Sequence, residues 1–135
     1  MTDTILLIDD NPMIMEINRN ALTGYGYRVL EAGSISQSRT VLVHETPDLI
    51  MMEAKLPDGC GLHYCREIQN MKDIPIMFVS MLNTTDDEVA GFDAGASEYV
   101  PKPYTTDTLV IRMEGLLRRV RRMRGRGFFP KRLKK

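Results

Sequence analysis

Five side chains of the kinds used in phosphoryl chemistry follow short apolar runs of this sequence: Asp9, Asp10, Glu53, Ser80 and Lys102. Three carboxylates brought together repel one another, and their natural complement is a cation. Oxygen ligands that leave positions for water suit Mg²⁺, and a lysine and a hydroxyl beside a metal hold a phosphoryl group. Any one of these residues alone is an ordinary turn or strand-end residue. The set predicts a phosphoryl-binding site with magnesium.

These residues can meet only if the apolar runs form a single sheet. Most of the runs are continuously apolar rather than alternating, which is typical of parallel strands buried on both faces. The strands are expected over Ile5–Ile8, Tyr27–Leu30, Leu49–Met52, Ile76–Val79 and Glu98–Val100.

Helical segments alternate with these strands and carry start and stop signals. Asn11–Pro12 is a good N-cap and first-turn pair, and it predicts a helix to about Thr23 that Gly24 ends. Two segments have the form of a capping box. They are Ser34–Gln37, which opens a helix to about His44, and Thr85–Glu88, whose helix stops before Gly95. The other two helices are expected over about Leu62–Asn70 and from about Thr106 through Leu116 into a run of arginines.

Five strand–helix units within one compact length predict an α/β fold with a doubly wound parallel sheet and helices on both faces. Right-handed crossovers leave few topologies for such a sheet. Ligands of these folds bind at the carboxyl ends of the strands. The five side chains are therefore expected at one edge of the sheet.

The charge is divided unevenly along the chain. The 18 basic and 18 acidic residues of the 135-residue sequence cancel formally. Residues 118–135 contain ten basic residues and no acidic one, whereas residues 1–117 contain eight basic and 18 acidic residues. The sequence therefore predicts an acidic body followed by a basic tail.

Composition excludes several classes of protein. No apolar run approaches the roughly 18 residues of a membrane span, and no signal peptide precedes Asp9. Cys60 and Cys65 lack the spacing of a zinc site, which favours a reduced, cytoplasmic protein. Glycine-rich phosphate loops, nucleotide fingerprints and paired nucleophiles are missing, so an enzyme on the same doubly wound α/β fold is the less favoured interpretation.

Four stretches of the sequence together resemble the response-regulator receiver domain of two-component signalling. The resemblance covers residues 4 to about 118. It rests on Ile5–Pro12 (ILLIDDNP), Pro47–Gly61 (PDLIMMEAKLPDGCG), Ile74–Ser80 (IPIMFVS) and Gly91–Tyr104 (GFDAGASEYVPKPY). It implies a flavodoxin-like (βα)5 fold with strand order 2-1-3-4-5, and a phosphorelay role in which a histidine kinase phosphorylates an aspartate at the end of the third strand.

The resemblance also implies roles for single residues. Asp9 and Asp10 would bind Mg²⁺ together with Glu53 and the backbone carbonyl of Lys55. The acceptor position would be that of Glu53 itself, four residues before a proline.

The resemblance also implies roles for three residues around the acceptor position. Ser80 would be the switch hydroxyl, Tyr99 the switch aromatic ring, and Lys102 the phosphate-contacting lysine, with a cis peptide bond before Pro103. The alternative for Tyr99 is an ordinary, partly exposed strand residue.

Glu53 departs from the family, in which the acceptor is an aspartate. One additional methylene moves the carboxylate by up to about 1.5 Å, and misplacement on this scale costs on the order of 100-fold in an in-line transfer. We therefore expect a phosphorylation-independent receiver, or pseudo-receiver, that is regulatory and not an enzyme. The alternative is an ordinary phosphorylatable receiver in which Glu53 is an engineered activating substitution.

Metal binding stays open for the same reason. The acidic pair Asp9–Asp10 is retained, but an ion pair between Glu53 and Lys102 would weaken or abolish Mg²⁺ binding. The crowded carboxylates would then repel one another, which raises carboxyl pKa values.

The resemblance and the basic tail together indicate the domain limits and the binding partners of the chain. We expect a receiver domain over 1–120 and a basic tail or truncated linker to an output domain over 121–135. The partners expected are a histidine kinase or other signalling protein and a second copy bound through the fourth helix, fifth strand and fifth helix. Nucleic acid or anionic lipid bound by 118–135, or an acidic partner docked there, remains the alternative. Against a separate DNA-binding function stand the acidic body and the lack of a helix-turn-helix.

Overall fold

The computed structural model describes residues 2–125, and the expected tail beyond Gly125 lies outside these residues. Five parallel strands form one sheet in the order β2-β1-β3-β6-β7. Their bounds are β1 Thr4–Ile8, β2 Arg28–Ala32, β3 Leu49–Met52, β6 Ile76–Ser80 and β7 Glu98–Pro101. Counting only these five strands, the expected order 2-1-3-4-5 is confirmed.

The helices also follow the expected order. They are α1 Pro12–Gly24, α2 Ile35–His44, α3 Gly61–Met71, α4 Thr85–Asp93 and α5 Thr106–Gly125. A short antiparallel hairpin is formed by β4 Lys55–Leu56 and β5 Gly59–Cys60, with Pro57 and Asp58 between the two strands. Helix α5 continues without interruption past residue 120.

The two capping boxes differ in detail from the prediction. At α2, Ser34 caps Gln37 as predicted, but the Gln37 side chain accepts from the Gly33 amide at 2.7 Å, so the box is not reciprocal. At α4 the box lies one residue earlier than predicted. Thr84 is the N-cap and exchanges hydrogen bonds with Asp87, because the Asp87 carboxylate reaches the Thr84 amide.

The sheet separates two apolar layers. Successive side chains of a strand point to opposite faces, so Ile5 and Leu7 pack with α1 and α5, whereas Leu6 and Ile8 pack with α2 and α3. Strands β3 and β6 are buried along their whole length, as their continuous apolar sequence predicts. This double burial fixes the ends of the central strands, where the polar residues lie.

No helix within residues 2–125 is long and apolar enough to cross a membrane.

Candidate functional site

Four of the expected side chains meet at the carboxyl edge of the sheet. Asp9 follows β1, Glu53 follows β3, Ser80 ends β6 and Lys102 follows β7. All four are buried, with Glu53 only 5% and Lys102 only 6% exposed. Because the strands are parallel and in register, each chain segment delivers its polar residue to the same edge. The predicted convergence is present for these four residues.

Both oxygens of the Glu53 carboxylate are hydrogen bonded. Oε2 accepts from the Ser80 hydroxyl at 2.5 Å and from the Lys55 amide at 3.1 Å. Oε1 accepts from Lys102 Nζ at 3.1 Å and from the Met81 amide at 3.3 Å. Glu53 therefore connects the ends of three strands of the sheet.

The Lys102 ammonium lies between two carboxylates. Its Nζ is 2.7 Å from Asp9 Oδ2 and 3.1 Å from Glu53 Oε1. The other Asp9 oxygen, Oδ1, accepts a hydrogen bond from the backbone amide of Asn11 at 2.9 Å. The peptide bond between Lys102 and Pro103 is cis, as the resemblance implies.

These contacts set the ionisation of the cluster. Burial alone raises the pKa of Glu53, but hydrogen bonds from Ser80 and the Lys55 amide, together with the Lys102 charge, outweigh it and hold the pKa below its ordinary value. Burial alone lowers the pKa of Lys102, but the hydrogen bond and charge of Asp9 and the charge of Glu53 outweigh it, so this pKa is raised. For Glu53, the expected rise in pKa from carboxylate repulsion is wrong, because the hydrogen bonds from Ser80 and the Lys55 amide and the charge of Lys102 lower the pKa.

The expected metal ligands are not gathered into one set. Asp10 is exposed and makes no hydrogen bond or ion pair with any other residue in the described part of the chain. The contact that Lys55 makes to Glu53 comes from its backbone amide. Among residues 2–125, no group of three or more histidine, cysteine, aspartate or glutamate side chains is arranged to hold a metal ion. As arranged, these residues do not fit a divalent cation.

Ser80 connects the acidic cluster to Tyr99 through one residue. Its hydroxyl donates to Glu53 and accepts from the Leu82 amide at 3.1 Å. The Leu82 carbonyl in turn accepts from the Tyr99 hydroxyl at 2.5 Å. Tyr99 is thus joined to Glu53 by a chain of hydrogen bonds that runs along the loop after β6.

The Tyr99 ring lies inward. The residue is 2% exposed, so the alternative of a partly exposed strand residue is wrong. Its ring packs against Phe78, with a centroid separation of 5.8 Å. A Cβ at Gly91 would lie 2.7 Å from the Tyr99 ring. The glycine of α4 therefore leaves the space that the inward ring fills.

Three residues support the site through contacts that the sequence did not predict. Asn11 was expected only to cap α1, yet its amide also contacts Asp9. Met81 contributes a backbone amide, which any residue type supplies and no sequence pattern reveals. Gly61 lets α3 approach the loop that carries Glu53, since a Cβ there would lie 2.7 Å from the Glu53 carbonyl oxygen.

Comparison with known proteins gives consistent results. The family described as "Response regulator receiver domain" matches residues 5–114. The chain is 35% identical over 119 residues to the phosphate regulon transcriptional regulatory protein PhoB of Pseudomonas aeruginosa, covering 86% of this chain and 52% of PhoB. It is 33% identical over 122 residues to the response regulator MprA of Mycobacterium tuberculosis, covering 90% of this chain and 53% of MprA. The chain thus spans about half the length of these curated relatives.

Solved structures share the fold. A two-component response regulator from Clostridium difficile superposes with a TM-score of 0.85 at 24% identity, covering 88% of this chain and 98% of that structure. The non-phosphorylated HemR receiver domain from Leptospira biflexa gives a TM-score of 0.79 at 29% identity, covering 86% and 94%.

Proposed function

This chain belongs to the response-regulator receiver family of two-component signalling, and we propose that it is a receiver whose signalling state does not depend on phosphorylation. Receiver domains interact with histidine kinases, are regulatory modules that carry phosphoryl-transfer chemistry, and generally bind Mg²⁺ at an acidic site. In this proposal Glu53 takes the place of the family's acceptor aspartate.

One observation carries the proposal. The Glu53 carboxylate contacts the Ser80 hydroxyl at 2.5 Å and the Lys102 ammonium at 3.1 Å at the same time. By the resemblance to the family, the Ser80 hydroxyl and the Lys102 ammonium are the groups that would contact the phosphoryl group. Glu53 thus satisfies both contacts without any transfer, and the ring of Tyr99 lies inward in the same structure.

The imitation of a phosphoryl group is partial. A carboxylate brings one negative charge and two oxygens, whereas a phosphoryl group brings about −2 and three oxygens. Both Glu53 oxygens already accept two hydrogen bonds. We therefore propose a receiver that is biased toward one state and is a poor phosphoryl acceptor.

Intact-mass measurement after incubation with a small phosphodonor and Mg²⁺ tests this. We expect no stoichiometric adduct of about 80 Da on the unsubstituted chain, because the longer carboxylate is misplaced for in-line transfer. Glu53→Asp is the matched variant and should accept the phosphoryl group. A stoichiometric adduct on the unsubstituted chain that is lost in Glu53→Ala would refute the proposal, and would favour an ordinary phosphorylatable receiver.

Partners and domain limits belong to the same proposal. We propose a receiver unit over residues 1–120, with 121–135 as a basic tail or linker, and self-association through the surface formed by α4, β7 and α5. Val89, Phe92 and Ile111 are exposed apolar residues of these helices, which supports that surface. Sedimentation should show a dimer at high concentration, and a strict monomer would count against it.

A nucleic-acid role for the basic segment is the second candidate. It is supported by Arg118, Arg119 and Arg122, which lie on the exposed face of α5. A chain shortened to residues 1–117 would lose DNA binding at physiological salt if this segment is the binding element. Binding by the segment alone would not establish sequence specificity, since clustered arginines bind any polyanion.

A further inference from the structure

We propose that Lys102 is the cation of the acidic edge, and that the edge therefore takes no divalent metal ion. This inference rests on the proposed function, since it concerns the same cluster. It departs from the general behaviour of the family, in which the acidic site takes Mg²⁺.

The first argument is the inventory of oxygen atoms. The Asp9 and Glu53 carboxylates offer four oxygens, and each of them accepts at least one hydrogen bond from the protein at 2.5–3.3 Å. A metal ion needs oxygen lone pairs directed at it, and Mg²⁺ demands nearly octahedral ligands at about 2.0–2.1 Å. A metal ion could therefore bind the Asp9 and Glu53 oxygens only if these hydrogen bonds were broken.

The second argument is the position of the ammonium. A metal ion that used Asp9 Oδ2 and Glu53 Oε1 would share both ligands with Lys102, whose Nζ is 2.7 Å from the first and 3.1 Å from the second. Two cations a few ångströms apart in a poorly hydrated site repel strongly. Metal entry therefore requires Lys102 to leave.

The third argument is the cost of that departure. Lys102 is 6% exposed and Glu53 is 5% exposed, so water does not readily replace the contacts they would lose. A buried polar group left without a partner is costly. Asp10, the remaining carboxylate, is exposed and makes no contact with the cluster, so it supplies only a solvated charge. The chain's own lysine has the advantage of being covalently attached beside the site.

Divalent-ion binding can be measured without any assay of signalling. We would titrate the full chain with Mn²⁺, follow free ion by electron paramagnetic resonance, and record melting temperatures in MgCl₂ against NaCl of equal ionic strength. A bound ion must raise the melting temperature by mass action. We expect no saturable binding to the unsubstituted chain, and equal melting temperatures in the two salts.

Two variants should acquire a metal site. Glu53→Asp withdraws the carboxylate from Lys102 and Ser80, and Lys102→Met removes the competing cation. Each should bind Mn²⁺ at least about tenfold more tightly than the unsubstituted chain and should melt higher in MgCl₂. Lys72→Met is the matched control and should change nothing at this edge, because Lys72 Nζ instead donates to the Leu42 carbonyl at 2.9 Å.

The outcomes separate this inference from the proposed function. Saturable Mn²⁺ binding by the unsubstituted chain overturns the inference, and it leaves the proposed function in place if no phosphoryl adduct forms. Failure of a folded Lys102→Met variant to gain binding also overturns it, and if that variant does not fold, failure of a folded Glu53→Asp variant to gain binding does so. Absence of binding in the unsubstituted chain together with a gain in Glu53→Asp supports it.

Discussion

Replacing Gly91 with alanine tests whether the inward ring of Tyr99 needs the space that a glycine leaves in α4. A Cβ at Gly91 would lie 2.7 Å from Tyr99 Cδ2 and 2.8 Å from Cε2. Non-bonded carbon atoms prefer separations of about 3.5–4.0 Å, so the ring or the helix must move by roughly 1 Å. Overpacking of a core costs about 1–3 kcal/mol.

A second effect of opposite sign must be subtracted. Alanine favours a helix over glycine by about 1 kcal/mol, so Gly91→Ala should lower the free energy of unfolding by about 0–2 kcal/mol. Gly115→Ala in α5 is the matched control, because a Cβ there meets no atom closer than 3.9 Å. That substitution should stabilise the chain by up to about 1 kcal/mol. The difference between the two variants isolates the collision with Tyr99.

Urea unfolding of both variants, repeated in a Tyr99→Leu background, measures this difference. The cost of Gly91→Ala should shrink in the Tyr99→Leu background, because the smaller side chain lacks the two ring atoms involved, and the change is the coupling energy of the pair. Equal stabilisation by Gly91→Ala and Gly115→Ala in both backgrounds would refute the reasoning. It would mean that the ring of Tyr99 does not occupy the inward position in solution.

Three further predictions concern stability. Tyr64→Phe should lower the free energy of unfolding by about 1 kcal/mol in urea, because the Tyr64 hydroxyl lies 2.8 Å from the buried Ser38 hydroxyl. Gly61→Ala should cost about 1–3 kcal/mol in the same assay, since its Cβ would lie 2.7 Å from the Glu53 backbone oxygen. Ionised Glu53 stabilises the fold above its ordinary pKa of 4.5, and the contribution disappears as the pH falls through its lower folded pKa. Lys102 has a raised pKa, so its contribution is complete below 10.5 and disappears as the pH rises through the folded value. Urea midpoints against pH should show both losses, and Glu53→Gln should flatten the acid side.

The sequence was informative where local patterns decide structure. Continuous apolar runs identified β3 and β6, and Asn11–Pro12 identified the start of α1, because burial and helix capping depend on residues close in sequence. The convergence of Asp9, Glu53, Ser80 and Lys102 followed from parallel strands alone. Predicting this convergence required no knowledge of which residues of neighbouring strands contact one another.

Other features depend on contacts that no local pattern contains. The reciprocal capping box of α4 moved by one residue because both Thr84 and Thr85 are suitable N-caps, and packing selects between them. The lowered pKa of Glu53 depends on the hydrogen bonds from Ser80 and the Lys55 amide and on the charge of Lys102, which lies close to both Glu53 and Asp9. The sequence predicts which charged residues lie at the edge of the sheet, but which of them form ion pairs is a property of the folded chain.

Pairing also revises the division of charge into an acidic body and a basic tail. Arg121 forms an ion pair with Asp3, just before β1. Arg124 lies 3.7 Å from an Asp73 carboxylate oxygen, in the loop before β6. Both acidic partners lie at the amino edge of the parallel sheet, opposite the cluster around Lys102. Helix α5 begins four residues after Lys102 and brings Arg121 and Arg124 near these aspartates, so it spans the sheet from one edge to the other. Part of the basic segment therefore neutralises the body to which it belongs, and within the described residues the arginines on the outer face of α5, such as Arg118, Arg119 and Arg122, are exposed to an acidic partner.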